Sequence, residues 1–176
     1  STLAAANIFV YANPIMQLLY HSSSGANILS FLIISLIGSS TIYVFGSLMV
    51  SNGNLKEYIF ITALCDVLNI SLNYFLIRKM NAEGAAITSA ITQLSVAALQ
   101  AWVVFSRIKI SFPVSFLARI STAILSIVSL AYLSTFIHAD WKIQLSVSII
   151  TSLISFIVFR IFHPKQLLAV LKSERS

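Results

Sequence analysis

Apolar residues gather into six long runs separated by short polar breaks: 3–20, 28–50, 58–77, 84–105, 116–137 and 143–162. None alternates as a transmembrane β-strand of about ten residues would. A helix rises about 1.5 Å per residue, so roughly 17–25 apolar residues cross the ~30 Å hydrocarbon core of a bilayer. Every run falls within that range. The pattern predicts an all-α integral membrane protein of about six transmembrane helices.

The breaks have matching chemistry. His21-Ser22-Ser23-Ser24-Gly25 and Ser51-Asn52-Gly53-Asn54 are turn formers. Arg78-Lys79-Met80-Asn81-Ala82-Glu83, the stretch from Arg107 to Pro113, and His138-Ala139-Asp140-Trp141-Lys142 carry charge that hydrocarbon does not accommodate. Such short connections make successive helices antiparallel neighbours. Residues 1–163 are therefore expected to form one transmembrane helical bundle, followed by a short basic cytoplasmic tail, 164–176. Lys165, Lys172 and Arg175 supply the charge of this tail, and Leu167, Leu168 and Leu171 the apolar face of a short surface helix.

Composition supports a lipid solvent. Hydrophobic residues make up 58% of the chain and charged ones 9%, too few to cover a soluble domain. The net charge of +6 does not imply nucleic acid, because the basic residues form no stripe with interleaved aromatics. They sort by side instead. Arg78, Lys79 and Lys142 fall in alternate breaks from Lys56, Arg107, Lys109, Arg119, Arg160, Lys165, Lys172 and Arg175, three against eight. The richer side is cytoplasmic by the positive-inside rule, which places both ends of the chain inside. Tyr58, Trp102 and Trp141 sit at run ends, as interfacial aromatics do. The opening, Ser1 to Pro14, lacks an initiator Met, a basic n-region and a cleavage site. It is expected to continue a longer protein.

Candidate chemistry is sparse. Cys65 is the single cysteine, so the chain contains no disulfide framework and no zinc spacing. His21, His138 and His163 are scattered, and no catalytic motif is present. Neither an enzyme, a metal site nor a cofactor is expected. The costly residue is Asp66, near the middle of the third run, where a charge costs roughly 2.5–3.5 kcal/mol. Thr62, Asn69 and Asn73 stand at i−4, i+3 and i+7 and share its helical face. Gln93 in the fourth run, with Thr88, Ser89 and Thr92, offers a second polar surface. The stripe either lines a hydrated cavity that binds sugar hydroxyls or a cation, or simply joins helices at about 0.6 kcal/mol per hydrogen bond. Gly84, Ala85, Ala86, Ser89 and Ala90, with Gly38 and Gly46 in the second run, are small enough for close helix approach. Pro14, after Asn13, lacks an N–H and should kink the first helix.

The stretch from Asp66 to Ile77, with Asn69, Leu72 and Asn73, then a charged turn and Gly84-Ala85-Ala86-Ile87-Thr88, resembles a pattern of the multidrug/oligosaccharidyl-lipid/polysaccharide exporter superfamily. Pro14-Ile15-Met16-Gln17-Leu18-Leu19-Tyr20 is similar to that family's P-I-x-x-L-L-Y segment, and Ser51 to Lys56 occupies the place of its G-x-x-K turn. His21 stands where the family commonly has Gly, Arg78 where an Ile-Pro pair is frequent, and Ser89 where Thr is usual.

The resemblance implies the C-terminal bundle of a 12–14-helix transporter in the polysaccharide flippase branch. Two further runs after the Gly84 run favour that branch over drug antiporters. The implied activity is flipping of a polyprenyl-pyrophosphate-linked oligosaccharide across the bacterial inner membrane for O-antigen or capsule assembly. Implied partners are the lipid-linked oligosaccharide, membrane lipids, a polysaccharide polymerase and a chain-length regulator, with no nucleic acid. Arg119 is the basic residue nearest a pyrophosphate site, though its position also suits a snorkelling anchor. Alternatives are a cation-coupled multidrug antiporter of the same superfamily, which would use Asp66, a membrane-embedded polymerase or acyltransferase using His21, His138 and Asp140, and a non-transporting scaffold.

Overall fold

The first apolar run is not one helix. It divides into α1 (Thr2–Val10) and α2 (Ala12–Tyr20), bent by 74° at Tyr11. Pro14 lies in the first turn of α2, where its missing N–H is tolerated, but that gap leaves the Val10 carbonyl without its usual helical donor. The ladder therefore breaks just ahead of the proline, more sharply than a kink. At the other end of α2, His21 adopts a left-handed conformation (φ 54°) and its N–H bonds the Gln17 carbonyl at 3.0 Å. Glycine takes that conformation most readily, so His21 stands at a position of backbone strain.

The computed structural model describes residues 1–107, 114–136 and 140–158, without the side chains of 114–117, 119 and 156–158. Every regular element described is helical, with α3 (Ala26–Ser51), α4 (Leu55–Arg107), α5 (Val114–Leu133), a 3-10 turn (Ser134–Phe136) and α6 (Trp141–Val158) following α2. They belong to two compact units, one within Ser1–Ser111 and one within Phe112–Ser176.

In the first unit the third and fourth apolar runs are the two arms of α4, whose helical geometry is interrupted at Asn81 (φ 50°, ψ −128°). Asn69 meets Thr92 and Glu57 meets Arg107, so the arms 55–80 and 82–107 are antiparallel. The reversal is tight: a Cβ on Gly84 would overlap the Leu76 carbonyl. α3 packs along this hairpin. A Cβ on its Gly38 would lie 2.8 Å from the Gln93 backbone, and one on Gly46 3.1 Å from the Tyr58 ring. The small residues expected to permit close approach are thus in contact. Met49, Ile61, Cys65, Val96, Val103 and Val104 form the core between α3 and the two arms. Tyr58 is half-buried against that core. A turn with Gly53 at φ 77° joins α3 to α4, and Asn54 N–H closes it on the Met49 carbonyl at 2.9 Å.

The surface of this unit is apolar where that of a water-soluble bundle is polar. Tyr43, Ile70 and Phe60 are 80%, 70% and 69% exposed, while Thr88 and Gln100 are fully buried. Between Glu57 and Arg78 the first arm carries one charge, Asp66, and between Glu83 and Arg107 the second carries none. Twenty residues from 58 to 77 rise about 30 Å, the thickness of bilayer hydrocarbon. At one end lie Lys56, Glu57, Trp102 and Arg107. At the other, the Arg78 guanidinium stacks 4.0 Å over the Tyr74 ring.

Two described helices, α3 and α4, are long and apolar enough to cross a membrane, and the bent α1–α2 pair is a third if taken as one span. That is fewer than the six runs read from hydropathy. The difference has identifiable sources. Two runs share α4, the described apolar stretch of the fifth run is the shorter Ile120–Phe136, and the sixth run extends past the described part of α6. The proposed tail helix, His138, His163 and the residues from 159 onward lie outside the described residues.

In the second unit α5 and α6 meet through small side chains. Ala123, Ile127, Ala131 and Ser134 face inward from α5 and its turn, and Ser148, Ser152 and Ser155 from α6, all buried. Ser126 and Ser155 hydroxyls lie 2.6 Å apart. Spacings of three and four residues keep each set on one helix face, and small residues bring the backbones close.

Candidate functional site

The first arm of α4 is helical across Thr62, Asp66, Asn69 and Asn73, so the polar stripe is a real feature of one flank of the hairpin. Its members do different things. Asn69 donates from Nδ2 to Thr92 Oγ1 at 3.1 Å, and Asn73 Nδ2 donates to Asn69 Oδ1 at 2.9 Å. Thr92 in turn donates to the Thr88 carbonyl at 2.8 Å, and Thr88 to the Gly84 carbonyl at 2.9 Å. Hydrogen bonds thus run from Asn73 across the hairpin to the Thr88 carbonyl, and the Thr88 hydroxyl makes a separate bond one turn earlier in the second arm. The open end is Asn73 Oδ1, a buried acceptor without a partner among the described residues.

Thr62 turns back to the Tyr58 carbonyl at 2.9 Å and Ser89 to the Ala85 carbonyl at 3.0 Å, bonds within their own helix. Gln93 is half-buried where Gly38 of α3 meets its backbone, and it forms no hydrogen bond to the stripe. Asp66 shares the helix flank yet is exposed, with no ion pair to any described residue. The geometry therefore brings Asn69, Asn73 and Thr92 together, leaves Asp66 projecting beside them, and separates Thr62 and Gln93. The Arg119 side chain lies outside the described part.

Chemically, the stripe offers an exposed carboxylate in an apolar setting, while the Asn73 amide oxygen is buried. Asp66 accepts hydrogen bonds from hydroxyl donors and adds negative charge. No group of three or more His, Cys, Asp and Glu residues that could hold a metal occurs among the described residues.

The sequence pattern does not single out a buried amide of the second arm. Gln100, fully buried in the second arm, has no partner for either amide atom among the described residues. A Cβ on Gly46 would stand 3.5 Å from its Oε1. Its signal is present as the i+8 continuation of Thr92 and the i+12 continuation of Thr88, a helical row of the second arm distinct from the row of Asn69 and Asn73. No known protein family, no curated protein and no solved structure matches the chain.

Proposed function

We propose that the chain is part of a multi-pass transporter of the bacterial inner membrane that flips a polyprenyl-pyrophosphate-linked oligosaccharide for surface polysaccharide assembly. The observation that carries this reading is the stripe of Asn69, Asn73 and Asp66 on one flank of an otherwise apolar hairpin. A charge so placed needs water or protein beside it, and a hydrated path is what a polar headgroup requires to cross. The resemblance of the Asn69–Asn73 helix, its charged turn and Gly84-Ala85-Ala86 to the exporter superfamily supports the choice of substrate class.

In this reading six crossings place Lys56 and Arg107 inside the cell and Arg78 and Lys79 outside. Asp66 accepts hydrogen bonds from sugar hydroxyls, Asn73 holds Asn69 beside it, Arg119 stands nearest the pyrophosphate, and one bundle rocks against another to alternate access. Thr62 and Gln93 serve packing rather than substrate.

The test is genetic and biochemical together. Deletion in the native host should abolish long-chain surface polysaccharide, with undecaprenyl-linked oligosaccharide accumulating on the cytoplasmic leaflet. Asp66→Asn and Asn73→Ala should restore the polymer less well than wild type at equal membrane abundance. Intact polymer with altered drug tolerance would replace this reading with the antiporter one.

A further inference from the structure

The flank of the α4 hairpin away from the polar stripe carries an open groove of different character. At the charged end it has a volume of about 460 Å³, with Lys56, Glu57 and Arg107 at its mouth and Phe60, Leu64 and Trp102 along its walls. A second stretch of about 660 Å³ continues from it, sharing Leu64 and Leu99 and running past Leu68 and Ala98. The sequence from mouth to floor is therefore cationic, then aromatic, then largely aliphatic.

The mouth is built at a defined depth. Arg107 pairs with Glu57 at 3.3 Å, the two residues lying at the start and end of the hairpin. The carboxylate neutralises one cation and leaves Lys56 uncompensated, so the three groups carry one net positive charge. Trp102, 69% exposed, lies at the junction of charge and apolar wall, the level at which indole sits in a bilayer interface.

We infer that this groove binds an anionic phospholipid, its phosphate held by Lys56 and Arg107 and one acyl chain lying along Leu64, Leu99 and Leu68. Charge selects the occupant. A net positive mouth favours a headgroup of net negative charge over a zwitterionic one, and basic pockets between membrane helices take acidic headgroups on this principle. The apolar continuation suits an acyl chain and does not suit a soluble anion. The inference rests on the reading that the hairpin crosses a membrane and needs no particular transported substrate.

Trp102 supplies the reporter. The chain has two tryptophans, so Trp141→Phe leaves Trp102 alone. The full chain carrying that substitution is reconstituted into phosphatidylcholine vesicles, and Trp102 fluorescence is followed as acyl-brominated phosphatidylglycerol or acyl-brominated phosphatidylcholine replaces the host lipid. Phosphatidylglycerol should associate about fivefold more strongly, the effect of one basic group at a lipid surface. Lys56→Ala with Arg107→Ala should bring the ratio close to one while phosphatidylcholine still quenches. Ala98→Phe, which fills the exposed deep part of the groove, should weaken quenching by both lipids. Equal association of the two lipids, a preference that survives the double substitution, or indifference to Ala98→Phe would each overturn the inference. So would displacement of brominated phosphatidylglycerol by an equimolar amount of undecaprenyl pyrophosphate. Absence of quenching by either brominated lipid would overturn the membrane-crossing reading together with it.

Discussion

Asn69 Nδ2 donates to Thr92 Oγ1 at 3.1 Å, joining the two arms of one folded-back helix through side chains 23 positions apart. The bond sits at the rim of the hairpin contact, and Thr92 simultaneously donates to its own helix at Thr88. It couples arm pairing to the polar stripe.

That coupling is measurable. In mixed-micelle unfolding, Asn69→Ala and Thr92→Val should each destabilise the chain. Their double-mutant cycle should return about 0.6 kcal/mol, and no more than about 1.7, as interhelical hydrogen bonds in membranes do. Additive effects would show that the two side chains do not interact in the folded chain.

The reversal of α4 depends on two positions of opposite need. Asn81 holds a backbone conformation (φ 50°, ψ −128°) in which a side chain is strained by about 1–3 kcal/mol. Asn81→Gly should therefore raise stability by roughly 1 kcal/mol. Gly84→Ala should lower it by about 1–3 kcal/mol, because the new methyl meets the Leu76 carbonyl rather than a flexible side chain. The same unfolding assay reads both, and opposite signs are the expected result.

Gln100 is a buried amide whose two polar atoms have no partner among the described residues. Leaving such groups unpaired costs about 1–3 kcal/mol. Gln100→Met, of similar length and volume, should stabilise the α3–α4 packing by about 1 kcal/mol. A loss of stability would mean that the amide is satisfied in the membrane.

In the second unit the close approach of Ser126 and Ser155, with hydroxyls 2.6 Å apart, predicts a facile cross-link. Ser126→Cys with Ser155→Cys, in a Cys65→Ser background, should oxidise to a disulfide without loss of folded protein. Leu125, one residue earlier on α5, points outward at 65% exposure. Leu125→Cys paired with Ser155→Cys should therefore remain reduced under the same oxidant.

Much of the hairpin was legible from residue order. Glu57, Arg78, Glu83 and Arg107 bracket two apolar stretches of bilayer length, and the small residues Gly38 and Gly84 mark close approach to another backbone segment, Gly46 to the Tyr58 ring. Turn chemistry at His21, Gly53 and Asn81 matched left-handed or strained backbone. Hydropathy alone did not show that the proline would split the first run at Tyr11, since the position of a break depends on which carbonyl is left open. Nor does helical periodicity separate a residue on the hairpin flank from one in its contact. Asp66 and Asn69 share a stripe by spacing, yet one is exposed and the other bonded across the arms. The α5–α6 seam was missed because serine and alanine at spacings of three and four look unremarkable in an apolar run.

Transport through the stripe and lipid binding in the groove both require the two ends of the α4 hairpin to lie on opposite sides of a bilayer. Lys79→Cys, beside the Asn81 reversal, and Asn52→Cys, in the turn before α4, test this in a Cys65→Ser background with a membrane-impermeant maleimide on intact cells. Labelling of Lys79→Cys from outside, with Asn52→Cys reacting only after permeabilisation, is the predicted result. Equal labelling of both positions in intact cells would contradict it.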